Sequence, residues 1–290
     1  VKHGETIRPK TKWRSRTMRR SDKENPNTRR GLAAPVSLLL IVFSLTLVST
    51  VAYNYALRQI DSRKEDLKLV AAEEKMLDLE EAITSTAWTP SGSRTLAFSN
   101  YGGQLRVETA ANPLQINVTL GASNGTVYDS DTGRFVYELP IMSMSQAGRW
   151  VRGDRRPIVN QSTAYQAQMS VSTGSEYQEL VSRYRPLVSS SVGGLSAGRR
   201  INNVRVYVVN LNASEAIVSG GEFHVKVTCL DVSTSLDTFN GTASDTAMSV
   251  SVNLDGATRT LSVPVSVGAS GSLVRVEVVV SSMRIEGVAI

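Results

Sequence analysis

The chain has 290 residues, a formal charge of +6, 20% charged and 6% aromatic residues, one cysteine and two histidines. One cysteine excludes an internal disulfide, and two histidines are too few for a His/Cys zinc site. The net charge does not describe a nucleic-acid-binding fold, because residues 1–30 hold eleven Lys or Arg against three acids, or +8, and the rest of the chain carries −2. The length allows one large or two small domains behind any targeting segment.

Residues 1–31 form a basic leader. With Trp13 available for stacking, it has the composition of a nucleic-acid arm. The apolar stretch that follows points instead to setting topology and contacting anionic lipid headgroups. Residues 32–57 are 26 uncharged residues in a row, more than the ~20 that span a bilayer as a helix. The eleven basic residues ahead of this span outweigh Arg58, Arg63, Lys64 and Lys68 behind it, which mix with Asp61, Glu65 and Asp66. That bias predicts a cytoplasmic N-terminus and an external C-terminal domain.

Three readings of the span compete. A secretory signal ending at "TVA", with Ala52 last, is opposed by an apolar run well beyond the roughly 7–15 residues such signals use. A permanent single-pass anchor is the plainest alternative. The third rests on the join itself: "RRGLAAPVSLLL" resembles the class III signal peptide of archaeal type IV pilins and pilin-like proteins. In that family a prepilin peptidase cuts after a glycine placed between a basic leader and an apolar helix. The resemblance puts the cut between Gly31 and Leu32, with Arg29 and Arg30 as the basic flank and Pro35 at the early proline of archaeal members. Val36 stands where bacterial pilins carry a glutamate, and the leader of 31 residues is long. Such a cut leaves the hydrophobic helix on the mature chain.

Residues 58–87 continue the helix amphipathically. "QIDSRKEDLKLVAAEEKMLDLEEAIT" holds no Gly or Pro, and Leu69, Ala72, Met76, Leu79 and Ile83 recur at steps of three and four to make one apolar stripe. The end is predicted near Ala87, ahead of "WTPSGS". The result is a rod of roughly 55 residues and about 80 Å.

Beyond Trp88 the period falls to two. "QLRVETA", "LQINVTL", "RFVYELP", "NVRVYVVNL", "EFHVKVTCL", "AMSVSVNL", "TRTLSVPV" and "SLVRVEVVV" read as strands, with turns at "SNGT", "DSDTGR", "NLDGAT" and "GASGS". Asp255 and Gly256 mark a hairpin tip. "TGSEYQELVSRYRP" reads as containing a helical turn, and residues 189–200, "SSSVGGLSAGRR", as a linker or long loop dividing the region. The fold class is therefore α+β: a transmembrane-plus-amphipathic helix followed by an all-β antiparallel sandwich head over 88–290, one head of two packed sheets.

Five Asn-X-Ser/Thr sequons, at Asn117, Asn124, Asn160, Asn212 and Asn240, all fall in the β region as candidate N-glycan acceptors. The pilin resemblance implies the same, since such archaeal surface filaments are often N-glycosylated. Asp129 and Asp131 in "DSDTGR" echo the start of a calcium loop but lack its later glutamate, so a hairpin turn is the preferred reading. His3 lies in the leader, and His224 on the polar side of an alternating strand whose other side carries Cys229. Neither histidine has a Ser or Cys partner in its sequence context, and Cys229 reads as a small buried hydrophobe. No enzyme activity and no cofactor are expected.

The resemblance implies a pilin-like subunit of an archaeal surface filament or pseudopilus, with the β head exposed for adhesion or surface contact. Its partners would be the membrane, the prepilin peptidase, an assembly ATPase and membrane platform, and other subunits. The alternative is an uncleaved single-pass surface protein whose β domain binds a ligand or the cell envelope.

Overall fold

The computed structural model describes residues 33–99, 101–140, 147–160, 165–174, 177–215 and 218–288. Among these residues one helix, α1 (Ala33–Thr86), precedes fourteen strands: β1 (Ser93–Phe98), β2 (Gln104–Leu120), β3 (Ser123–Pro140), β4 (Trp150–Arg152), β5 (Val159–Asn160), β6 (Ala167–Thr173), β7 (Tyr177–Tyr184), β8 (Leu187–Ser196), β9 (Arg199–Asn210), β10 (Val218–Gly220), β11 (Phe223–Gly241), β12 (Ala247–Leu254), β13 (Ala257–Pro264) and β14 (Ser272–Val288). The chain divides into two compact units, with the boundary between Arg58 and Gln59.

In the first unit α1 is apolar, and its only proline, Pro35, sits in the first turn, where no intrahelical N–H bond is lost. In the second unit the helix buries Leu69, Ala72, Met76, Leu79 and Ile83, the stripe expected from their spacing. It stops where Thr86 Oγ1 turns back onto Ala82 O at 2.7 Å. The orphan carbonyl of Ala87 accepts from Cys229 Sγ at 3.2 Å and from Ser281 Oγ. Cys229 is buried as expected, and its thiol also closes the helix end.

The strands make a six-stranded sheet in the order β1-β11-β14-β9-β8-β5 and an eight-stranded sheet in the order β13-β12-β2-β3-β7-β6-β4, with β10 added beside β2. The expectation of a purely antiparallel head is corrected here, because β14 runs parallel to β9 and β5 parallel to β8. The excursion from β10 to β13 separates β9 from β14 in the chain, so the two meet by a crossover and not through a hairpin.

Two apolar cores lie in this unit. The first gathers the α1 stripe with Phe98, Leu105, Phe135, Tyr137, Leu180, Val225, Val227, Met283 and Ile285. The second is all strand: Leu114, Ile116, Val118, Val204, Val206, Val250, Val252, Val274, Val276 and Val278 are among its members. Successive side chains leave a strand on opposite faces. β14 therefore gives its even positions, Val274 to Val278, to the second core and its odd positions, Met283 and Ile285, to the first.

Several expected turns are strands. "SNGT" and "DSDTGR" both lie inside β3, whose hairpin with β2 turns at Gly121 and Ala122. Gly133 serves close packing: a Cβ there would stand 2.9 Å from Leu211 Cβ and 3.0 Å from the Glu108 carbonyl. The two strands expected at 104–110 and 114–120 are one, β2, kinked by a bulge between Glu108 and Asn112. The helical turn expected before Pro186 is β7. The linker expected at 189–200 is the β8–β9 hairpin, turning at Ala197 (φ 49°) and Gly198 (φ 77°). The Asp255-Gly256 tip stands as predicted, with φ of 51° and 77°.

β1 covers β11 only from Phe223 to Thr228, and among the described residues no strand pairs with that side of β11 from Asp231 to Gly241. Asp231, Ser233, Ser235 and Asp237 lie there on the face from which Phe239 enters the second core, by their register with β14.

Candidate functional site

The surface that most needs a partner is the first half of α1. Every side chain from Pro35 to Ile60 is exposed, including Leu39 at 69%, Phe43 at 65% and Val51 at 64%. Bare apolar area of this extent is unfavourable in water at about 25 cal/mol per Å². The segment is long and apolar enough to cross a membrane. Three of its polar groups are satisfied within the helix: Thr46 Oγ1 donates to Phe43 O (2.8 Å), Thr50 Oγ1 to Thr46 O (2.8 Å) and Asn54 Nδ2 to Thr50 O (2.9 Å). Back-bonding of this kind lowers the cost of carrying these groups into a medium that offers no hydrogen bonds. Apolar exposure continues past the charged residues, at Leu67 (68%) and Val70 (59%), opposite the face buried in the head.

The second half of α1 is fixed to the head by a polar seam as well as by its stripe. Glu73 meets Arg149, and Glu80, with its side chain only 4% exposed, meets Arg152 at 2.6 Å. Glu80 also accepts from Thr84 Oγ1 at 2.8 Å. The Arg152 guanidinium sits 4.5 Å above the Tyr165 ring. Next to it, the fully buried Arg185 donates to the carbonyls of Tyr165 and Arg156 and to Asp154 Oδ1 at 2.8 Å, tying these three residues together. Arg156 first and Arg185 second hold the Asp154 carboxyl well below the usual carboxylate range. Burial lowers Arg185 and raises Tyr184 well above the ordinary phenol. Charges so far apart in the chain carry no sequence signal of their pairing, and periodicity does not single out Glu80 on α1, Arg152 on β4 or Arg185 between β7 and β8.

The expected processing residues Arg29, Arg30, Gly31 and Leu32 lie outside the described residues. Of the sequon asparagines, Asn124 and Asn240 are exposed, and Asn117, Asn160 and Asn212 are half-buried. Asn212 is engaged on both sides, donating to Asp131 O (2.6 Å) and accepting from Ala110 N (2.9 Å). Asp129 and Asp131 sit two apart on β3, not in a turn, and Asp129 accepts from Gln115 at 3.2 Å. Among the described residues no group of three His, Cys, Asp or Glu converges. Two hollows lie in the head, one lined by Gly103, Gln104, Glu138 and Tyr177 and the other by Trp150, Arg155 and Ser170.

Compared with known proteins, the chain matches no family model, no curated protein and no solved structure.

Proposed function

We propose that the chain is a type IV pilin-like subunit of an archaeal surface filament or pseudopilus. The observation that carries this reading is the division of α1 into a fully bare apolar half and a half buried in a β head. A stationary anchor leaves lipid around the first half. A filament subunit exchanges that lipid for the same helix in neighbouring copies, keeping the apolar area out of water in both states. The bare Leu67 and Val70, on the head side of the charged residues from Arg58 to Asp66, favour the filament over the anchor. In a filament a neighbouring subunit would cover them, whereas around a lone anchor they would stay in water.

In this reading residues 1–31 stay cytoplasmic and are removed by a prepilin peptidase after Gly31, so that the mature chain begins at Leu32. An assembly ATPase and a membrane platform, both separate proteins, draw subunits from the bilayer. The two sheets pack as a sandwich on the outside, where the exposed sequon at Asn240 accepts a glycan and the head makes surface contact; the chain catalyses nothing itself. N-terminal sequencing of the protein from sheared surface filaments and from membranes tests this. A first residue of Leu32 is expected in both fractions, whereas an intact basic leader in the membrane and nothing in the sheared fraction assigns the chain to the anchored alternative.

A further inference from the structure

The distal half of the eight-stranded sheet turns one face to the second core and the other to solvent. Cross-strand register places the solvent-facing positions in three rows across β3, β2, β12 and β13. They are Asn124, Thr119, Ser249 and Ser262; then Thr126, Asn117, Ser251 and Thr260; then Asp129, Gln115, Asn253 and Thr258. All are exposed or half-exposed. Side-chain hydrogen bonds confirm the shared face: Thr126 to Asn117 at 2.7 Å, Asn117 to Gln115 at 3.3 Å, Gln115 to Asp129 at 3.2 Å and Thr260 to Ser251 at 3.2 Å. Neighbouring strands stand about 4.8 Å apart and alternate residues about 6.8 Å along each strand, so the twelve positions make a regular array.

Its composition selects the partner. Only Asp129, in a corner of the array, is charged, and it is already bonded to Gln115. The proximal stretch of the same sheet is instead laced with ion pairs, Arg106 to Glu108 and Glu138 and Arg134 to Glu108. A neutral array gives no long-range attraction to nucleic acid, lipid headgroups or acidic polymers. None of the twelve is aromatic or aliphatic, so the array lacks the apolar anchors that hold a protein interface together. What it does offer is repeated hydroxyl and amide groups, each able both to donate and to accept.

We propose that this face of β3, β2, β12 and β13 binds an uncharged, polyhydroxylated polymer, that is, a neutral polysaccharide, through hydrogen bonds repeated along the chain. The idea deepens the reading of the head as a contact surface but needs neither processing nor assembly.

The test uses the full chain in detergent micelles. Its retention is measured on insoluble cellulose and chitin, with alginate beads and anionic lipid vesicles as charged comparators, each at low and high salt. Retention on at least one neutral polymer, unchanged by salt, is expected. Ser251→Glu and Thr119→Glu, each placing a carboxylate inside the array, should weaken it about tenfold or more. Ser251→Thr should preserve it, and melting of the head reports that each variant folds. The proposal is overturned by absence of retention on both neutral polymers, by retention confined to the charged comparators and lost in high salt, or by retention indifferent to the two Glu variants. Self-association abolished by Ser251→Glu would assign the face to a second copy and overturn it as well. A chain that keeps its leader would sink the filament reading and leave this result standing.

Discussion

From Pro35 to Arg58, α1 exposes every side chain, whereas from Leu69 to Ile83 the same helix buries a stripe to 1% or less. Backbone geometry and helix-forming residues are shared along the whole length, so the difference lies in where the apolar residues fall around the axis. Apolar residues on all sides leave the first half no polar face to give to water, the pattern of a helix long and apolar enough to cross a membrane. Apolar residues on one side let the second half bury itself in its own chain. The two halves therefore depend on different surroundings, and perturbing one should leave the other's property intact.

The largest expected effect is at Leu79, which is fully buried. Leu79→Ala should destabilise the head by about 2–5 kcal/mol in thermal or denaturant unfolding. Leu45→Ala should change head stability by less than about 0.5 kcal/mol in the same assay. A large loss from Leu45→Ala would mean that the halves are not independent. Conversely, Leu45→Asp should cost about 2.5–3.5 kcal/mol of membrane insertion, read as protein lost from the membrane fraction, while the head melts as before.

The polar seam should come next. Glu80→Ala leaves Arg152 facing Tyr165 without its carboxylate and should cost about 1–3 kcal/mol of head stability. Asp154 supplies a pH dependence of known sign. Its folded pKa is depressed, so its contribution is fully present above the unfolded value of about 3.9 and is lost as pH falls from there through the folded pKa. Melting temperature should drop as pH is lowered below about 4, and Asp154→Asn should flatten that drop. Because the Asp154 side chain is 37% exposed, solvent screens the pair and the effect is modest. Smallest of all, Thr46→Val removes a hydroxyl bonded only to its own helix and should alter membrane retention by less than about 0.5 kcal/mol.

The helix could be read in advance, down to the buried stripe and the end near Ala87, because length and a period near 3.6 both survive in a single sequence. Strands rich in Val were legible for the same reason. Those that were missed share another property: along β3 and β8, runs such as Asp129 to Asp131 and Ser189 to Ser191 are mostly exposed on both faces, so alternation disappears and polar residues imitate loops. Glycine misled in the same places. At Gly133 the missing side chain lets β3 approach Leu211, a requirement set by a residue far away in sequence. The polar array on the distal sheet was present as alternate Ser, Thr and Asn in "INVTL", "SVSVNL" and "TRTLSV", but only cross-strand register aligns those letters into rows. The pairing of Glu80 with Arg152 had no local trace at all.

The uncovered rim of β11 bears on how many copies of this head could live side by side. A naked strand rim is a template on which an identical strand can dock, and crowding turns such docking into irreversible clumping. Here Asp231 and Asp237 occupy that rim on its core-facing side, so two copies meeting rim to rim would bring like charges together in a poorly hydrated gap. Two copies of the head meeting at this rim would therefore stay separable.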